Sequence, residues 1–192
     1  MNKLEGKVVV ITGAGMGLGF ATAIEAVKQG ARLSLVDYNE AALNQAKENI
    51  LKDLPSAKVL NVVADVSDEA AVRNYVDKTV EAYGTIDGLY NNAGIEGRQA
   101  SLTEYDMQIF KKVIDINLTG AYYGMRYVIP VMQKKQYGRI VNVASVGGIR
   151  GVMNQTPYVA TKHAVSGMTK NAALEYGRYG ILTNAIAPGA IL

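Results

Sequence analysis

The feature that most restricts how this chain can fold is a turn. Thr12-Gly13-Ala14-Gly15-Met16-Gly17-Leu18-Gly19 follows directly on the apolar run Val8-Val9-Val10-Ile11, so a cluster of glycines stands where a buried parallel strand would feed a helix. A helix N-terminus leaves backbone N–H groups unpaired and carries a partial positive charge; with no side chains in the way it can receive a pyrophosphate. On that reading Gly13 permits the tight turn, Gly17 the close approach of a phosphate and Gly19 the packing of helix on strand. Gly15, Met16 and Leu18 complete the loop. The spacing is T-G-x-x-x-G-x-G and not G-x-G-x-x-G, whose third glycine would fall on Leu18. A tight connection that binds nothing is the competing reading of the turn taken alone.

Beyond the turn, strand-like and helix-like segments alternate along the 192 residues. Strands are expected over 7–11, 31–36, 58–63, 86–91, 139–144 and 181–187. Helices are expected over 17–29, 39–53, from a cap at Ser67 or Asp68 to Tyr83, and over 157–179 with Pro157 in the first turn. Another, long helix opens at the Thr103-x-x-Asp106 capping pattern and runs toward Gln133, with Pro130 expected to bend or shorten its end. Valine- and isoleucine-rich strands between amphipathic helices predict an α/β fold: a Rossmann-type doubly wound parallel sheet in three αβα layers, strand order 3-2-1-4-5-6. One domain over 1–192 follows, with ligands beyond the carboxyl ends of the strands.

Composition narrows the chemistry. Cysteine is absent and there is one histidine, which excludes disulfides and thiolate catalysis and predicts no metal site. The net charge of +3 is small and evenly spread, so no nucleic-acid partner is expected. No apolar stretch approaches the roughly 20 residues of a membrane span, and no signal-peptide core opens the chain; no membrane association and a cytoplasmic location are the expectation.

Residues that can carry chemistry stand at the strand ends. Asp37, beside Tyr38, closes the second strand at the distance from the glycines where a carboxylate can hold the ribose hydroxyls of NAD and repel a 2′-phosphate; neither Met16 nor Tyr38 beside it is basic. Asp65-Val66 could accept from the adenine amino group and pack its ring, or be a helix-cap neighbourhood. Asn92-Ala93-Gly94 could let backbone approach the nicotinamide ribose, or be a polar turn. Tyr158 and Lys162, four residues apart on a helix, share a face, a spacing that taken alone arises often by chance and equally suits surface decoration. An ammonium some 4–5 Å away at an effective dielectric near 20 favours the phenolate by roughly 3–4 kcal/mol. Ser145 ends the fifth strand. Asn117, polar within an apolar helix face, could hold a water leading to Lys162. Gly147, Gly148 and Gly151 are expected to loosen the loop that joins Ser145 to the tyrosine helix, while His163 reads as packing or solvent-facing.

In this order TGAGMGLG, Asp65-Val66, NNAG, Asn117 in NLTG, Ser145, Tyr158-x-x-x-Lys162 and Pro188-Gly189 resemble the short-chain dehydrogenase/reductase family over the whole chain. The resemblance implies hydride transfer between NAD(P) and a ketone or secondary alcohol. It implies Asn117, Ser145, Tyr158 and Lys162 as catalytic residues, with Tyr158 as general acid/base, Pro188 and Gly189 at the cofactor, and Gln155 with Ser145 and Tyr158 at the substrate. It also implies a homotetramer or homodimer built through the long helices, with Tyr122, Met125, Met168 and Ala172 on their outer faces. The stretches NNAGIEGRQ and ASVGGIRG through NQTPYVATKHA to EYGRYGI resemble levodione-reductase-like members, which suggests a small cyclic or aliphatic ketone. Such proteins normally continue past Pro-Gly into a mobile lid, a helix and a seventh strand. The usual seventh strand is missing here, as is the threonine that normally follows Pro-Gly, so a longer natural chain is expected. With Asp37, the cofactor expected is NAD. A non-catalytic NAD-binding or redox-sensing module is the rival function, and a flavodoxin-like nucleotide-binding domain the rival of a different class.

Overall fold

The computed structural model describes residues 2–190. β1 (Val8–Thr12) leads into α1 (Gly17–Lys28), β2 (Arg32–Asp37) into α2 (Glu40–Asp53) and β3 (Val59–Val63) into α3 (Glu69–Tyr83). β4 (Gly88–Asn91) is followed by α4 (Met107–Ile114), which passes through a π-turn at Asp115–Thr119 into α5 (Gly120–Lys134). β5 (Gly138–Val143), α6 (Thr156–Tyr176) and β6 (Ile181–Ile186) complete the pattern. All neighbouring strands pair in parallel, in the order β3-β2-β1-β4-β5-β6. This is the doubly wound order expected from the sequence. It reverses direction between β1 and β4, and there a crevice opens at the carboxyl ends.

The strands read as near-continuous apolar runs because both faces of the sheet are covered. Ile11, Leu33 and Leu35 pack with Ala23 and Val27 of α1 and Leu43 and Ile50 of α2. On the opposite face Val10, Leu89, Ile140 and Ile181 meet Val72 and Val76 of α3, Val128 and Met132 of α5 and Ala172 of α6. Each valine, leucine, isoleucine or methionine among them contributes about 1.5–3 kcal/mol relative to exposure. Leu182 and Ile186 of β6, by contrast, are 48% and 40% exposed.

Several expected boundaries move, each for a local reason. The long helix does not open at Thr103, which lies in a separate 3-10 turn, Leu102–Glu104. Tyr105 is extended and buried, and Asp106 then caps α4 by accepting from the N–H groups of Gln108 at 2.8 Å and Ile109 at 2.9 Å. Pro130 does not shorten α5, which continues to Lys134. Asp68, not Ser67, caps α3, because Ser67 gives both its N–H and its hydroxyl to Asp65. α6 ends at Tyr176 and tightens into a 3-10 turn over Gly177–Tyr179.

The helix after the glycine turn crosses the strand end with no room to spare. A Cβ on Gly19 would stand 2.0 Å from the Gly13 carbonyl oxygen and 2.8 Å from Asn92 Nδ2. Backbone cannot yield as a side chain can, so Gly19→Ala is expected to lower the unfolding free energy by about 2–3 kcal/mol. Gly151→Ala, where nothing lies within 4 Å, should stay within about 0.5 kcal/mol of the parent. Urea denaturation measures both; equal midpoints would contradict the close crossing.

Candidate active site

The carboxyl ends of the central strands hold the glycine turn from two sides. Gly13 (φ +64°) and Gly17 (φ +55°) take left-handed backbone conformations. From β4, Asn92 Nδ2 donates to the carbonyls of Thr12 at 3.0 Å and Gly13 at 3.1 Å, and Thr12 Oγ1 accepts from the N–H groups of Asn92 and Ala93. From β2, Asp37 Oδ2 accepts from the Gly15 N–H at 2.9 Å, and Oδ1 from the Asn39 N–H at 3.0 Å. A Cβ on Gly15 would meet Asp37 Oδ2 at 3.0 Å. Asp37 therefore walls the loop as well as facing it, flanked by the exposed side chains of Met16 and Tyr38.

A dinucleotide fits this cradle. Asn39, Asp68 and Asp106 cap α2, α3 and α4 with their side chains, whereas Met16 gives α1 no such cap and its first turn holds no acidic residue. The first N–H groups of α1, at Gly17, Leu18 and Gly19, are thus without intrahelical partners. Nothing lies within 4 Å of where a Cβ on Gly17 would be. Free donors, a positive helix end and open space suit a pyrophosphate. Further along the crevice, Asp65 is exposed with Oδ1 accepting from Ser67, while Val66 turns inward and packs on Gly120 so closely that a Cβ there would lie 2.8 Å from Val66 Cγ2.

At the other end of the crevice α6 presents Tyr158 and Lys162 on one face. Lys162 Nζ lies 5.5 Å from the Tyr158 ring centroid and donates to the Val143 carbonyl at 2.8 Å. Lys162 is only 5% exposed, and among the described residues no carboxylate forms an ion pair with it. Burial disfavours its charged form and pulls its pKa down to about 8. Ser145, at the end of β5, accepts from the Gly147 N–H at 3.1 Å through Oγ. A Cβ on Gly147 would be 3.5 Å from Tyr158 Cε1 and 3.6 Å from Ser145 Oγ, so the hydroxyl and the phenol ring border the same small space. Gly147 and Gly148 do not loosen this loop: both are buried in a 3-10 turn, Val146–Gly148. A Cβ on Gly148 would stand 2.7 Å from the Lys162 carbonyl, so glycine here lets the turn press against α6.

Asn117 sits in the π-turn, whose extra residue re-aims a side chain that a regular helix would place elsewhere. Its first task is to clamp the chain after NNAG. Oδ1 accepts from the Ile95 N–H at 2.8 Å, while Nδ2 donates to the Ile95 carbonyl at 2.8 Å and to Thr161 Oγ1 at 3.3 Å. A Cβ on Gly94 would lie 3.2 Å from Asn117 Oδ1 and 3.5 Å from Lys162 Nζ, so Gly94, Asn117 and Lys162 meet at one point. The Pro188 carbonyl accepts from the Val146 N–H at 2.9 Å and brings Pro188-Gly189 to the loop after Ser145. Gln155, half-buried, opens α6 just ahead of Tyr158. His163 is exposed with Nδ1 2.9 Å from the Val159 carbonyl, away from these groups. Thr12 and Thr161, both fully buried, were not legible as site residues, because threonine in a strand or helix carries no signal until its partner from another segment is known.

The chain is similar to known proteins over nearly its whole length. The sequence pattern described as short chain dehydrogenase matches residues 7–192. Levodione reductase of Leifsonia aquatica is 53% identical over 185 residues, which cover 96% of this chain and 69% of that protein. A crystal structure of levodione reductase matches with TM-score 0.96 and 52% identity, over 98% of this chain and 73% of that one. Cyclohexanol dehydrogenase of Acinetobacter sp. (strain SE19) is 37% identical over 99% of this chain and 75% of its own length. The crystal structure of NAD+-bound xylitol dehydrogenase matches with TM-score 0.94 and 39% identity, over 97% of this chain and 71% of that one. A match of this extent at these identities makes the chain a member of the short-chain dehydrogenase/reductase family, oxidoreductases that act on alcohols and ketones.

Proposed function

We propose that this protein is an NAD-dependent oxidoreductase that interconverts a small apolar ring ketone and its secondary alcohol, with Tyr158 as general acid and base. The observation that carries the reading is the buried, carboxylate-free ammonium of Lys162 beside the Tyr158 ring, with Ser145 bordering the same space. NAD, when bound, supplies or accepts the hydride. Gly13, Gly15, Met16, Gly17, Leu18 and Gly19 would hold its pyrophosphate, Asp37 and Tyr38 its adenosine ribose, Asp65 and Val66 its adenine. Asn92, Ala93, Gly94, Pro188 and Gly189 would frame the nicotinamide half.

The chain's own groups divide the remaining work. Tyr158 gives its phenolic proton to the carbonyl oxygen in reduction and takes the alcohol proton in oxidation. Lys162 favours the phenolate in both directions, and with one proton on Val143 has others free for the nicotinamide ribose. Ser145 Oγ already accepts from Gly147, so its own proton is available to the substrate oxygen where negative charge develops. Asn117 holds Ile95, and through it the wall of the pocket, and its oxygen faces the proton route at Gly94. Gln155 would meet the substrate from the start of α6. The loop between Ser145 and α6 exposes Ile149, Val152 and Met153, which suits an apolar substrate. Relatives named for levodione and cyclohexanol point the same way. Of the residues expected on the outer faces, Tyr122 is exposed and Met168 partly so, whereas Met125 and Ala172 are buried with Ile129 in the core beneath a groove along α5 and α6; through this face we place a homodimer or homotetramer.

Tyr158→Phe keeps the ring and removes the proton, so turnover of cyclic ketones should fall about 10²–10⁴-fold while NADH affinity changes little. Near-native turnover in this variant would sink the mechanism.

Cofactor choice rests on Asp37. Asp37→Ala with Tyr38→Arg removes the repulsion and adds a cation, and should move preference toward NADP by about tenfold or more, about 1.4 kcal/mol. Because Asp37 also holds the Gly15 N–H, affinity for both cofactors should drop, and Asp37→Asn with Tyr38→Arg should drop less. Unchanged NAD preference in cofactor titrations of both would contradict the assignment.

The lysine has a measurable cost. Its pKa is about 8 in the folded protein against 10.5 ordinarily, so the unfolded chain holds that proton more tightly. Burial of the charge costs roughly 3 kcal/mol below about pH 8, and the cost fades as pH rises toward 10.5. Lys162→Met removes the cost but leaves the Val143 carbonyl unpaired, worth about 1–2 kcal/mol. The cofactor-free variant should be about 1–2 kcal/mol more stable than the parent at pH 7, lose that advantage by pH 10, and be inactive. A variant less stable at pH 7 would show that the charge is solvated.

A further inference from the structure

Asn142 is a carboxamide in surroundings suited to a hydrocarbon. It is fully buried near the end of β5, on the face where Ile140 packs with Met125, Val128 and Ala172. Its two ends are engaged in opposite directions. Oδ1 accepts from Asn91 Nδ2 at 3.1 Å, across the β4–β5 pair in which the two residues stand opposite each other. Nδ2 donates to Thr169 Oγ1 on α6 at 3.0 Å and lies 3.3 Å from Met125 Sδ on α5. Thr169 Oγ1 passes its own proton to the Val165 carbonyl at 2.8 Å, and Asn91 Nδ2 also donates to the Ala121 carbonyl at 2.7 Å. The donors therefore point one way, from β4 through β5 into α6.

A buried amide of this kind gains little net stability over an apolar residue of similar shape. What it adds is direction. Apolar packing of α6 on the sheet is non-directional and tolerates sliding, whereas a satisfied buried hydrogen bond does not. The register it sets is that of the reacting end. Thr169 lies two helical turns, about 10 Å, beyond Lys162 on the same stripe of α6. Asn142 directly precedes Val143, whose carbonyl holds Lys162 Nζ, and Ser145 follows in the same strand end.

We infer that Asn142 is a positioning residue for the reaction: its carboxamide, through Thr169, fixes where α6 presents Tyr158 and Lys162 relative to Ser145 at the end of β5. The inference rests on the roles proposed above for those residues. Displacement of reacting groups by about an ångström can cost on the order of a hundredfold in rate without loss of binding.

Asn142→Leu removes the bonds to Asn91 and Thr169 and the contact with Met125; Thr169→Val leaves the Asn91 bond and removes the Asn142–Thr169 bond together with the Thr169–Val165 bond within α6; Thr169→Ser keeps them all. Steady-state kinetics on a ketone that the parent reduces, NADH titration and thermal melts are recorded for each, with Tyr158→Phe alongside. The expected result is a 10- to 100-fold fall in kcat for Asn142→Leu and about tenfold for Thr169→Val, with KM and NADH affinity within about twofold. Thr169→Ser should stay within about threefold of the parent, and Asn142→Leu with Thr169→Val should be little worse than Asn142→Leu alone, because the Asn142–Thr169 bond is already lost in Asn142→Leu. Should Asn142→Leu fail to fold, the Thr169 pair decides the matter. Folded variants with unchanged kcat, a Thr169→Ser as damaged as Thr169→Val, or parallel losses of kcat, cofactor affinity and melting temperature would each overturn the inference. If Tyr158→Phe is inactive while these variants are fully active, the positioning role falls and the catalytic reading stands. A fully active Tyr158→Phe removes both.

Discussion

An ammonium group buried without a carboxylate is the constraint to which the rest of this site answers. Among the described residues Lys162 has no counter-charge to offset its loss of water, and its hydrogen bond goes to the Val143 carbonyl. Everything around it keeps that arrangement possible. Gly94 lacks the Cβ that would press on Asn117 Oδ1 beside it, Gly148 lacks the one that would lift the loop off α6, and Asn117 holds the neighbouring chain at Ile95. A protein that spends stability in this way holds the charge where a reacting group can use it. In the proposed reaction that group is the Tyr158 phenol on the same helical face.

The cofactor end follows a related logic with neutral groups. A glycine-rich turn is floppy by composition, and its conformational freedom would oppose binding. Here the turn is fixed before any ligand arrives, by Asn92 and Thr12 from β4 and β1 and by Asp37 from β2. Asp37 is the informative case. The carboxylate proposed to meet the ribose diol is also the acceptor that holds Gly15, so on that proposal cofactor choice and loop geometry would be carried by one side chain. Free N–H groups at the start of α1 are what remains open.

The sequence made the sheet order, the glycine turn, Asp37 and the Tyr158–Lys162 pair legible, because each depends on spacing within one segment or on a fixed place at a strand end. Helix caps are partly legible: Asp68 is one of the two caps expected for α3, but the Thr103-x-x-Asp106 pattern puts the helix start at Thr103, whereas Thr103 turns separately and Asp106 is itself the cap. The parts that could not be read are hydrogen bonds between distant segments. Asn92 reaches Gly13 across 79 residues and Asn117 reaches Ile95 across 22. The π-turn that aims Asn117 inward leaves no trace in a hydrophobic pattern, since one inserted residue looks like ordinary helix. Asn142 reads as a polar interruption of a strand until its partners on β4 and α6 are seen.

The proposed chemistry depends on the state of one proton, and side-chain NMR titration of Lys162 in the cofactor-free protein reads it directly. With the lysines labelled and Lys162 assigned by its absence in Lys162→Met, the Nζ signal should titrate with a midpoint near about 8. A midpoint at the ordinary 10.5 would mean that the ammonium is hydrated, and would contradict the buried charge on which the proposed chemistry depends.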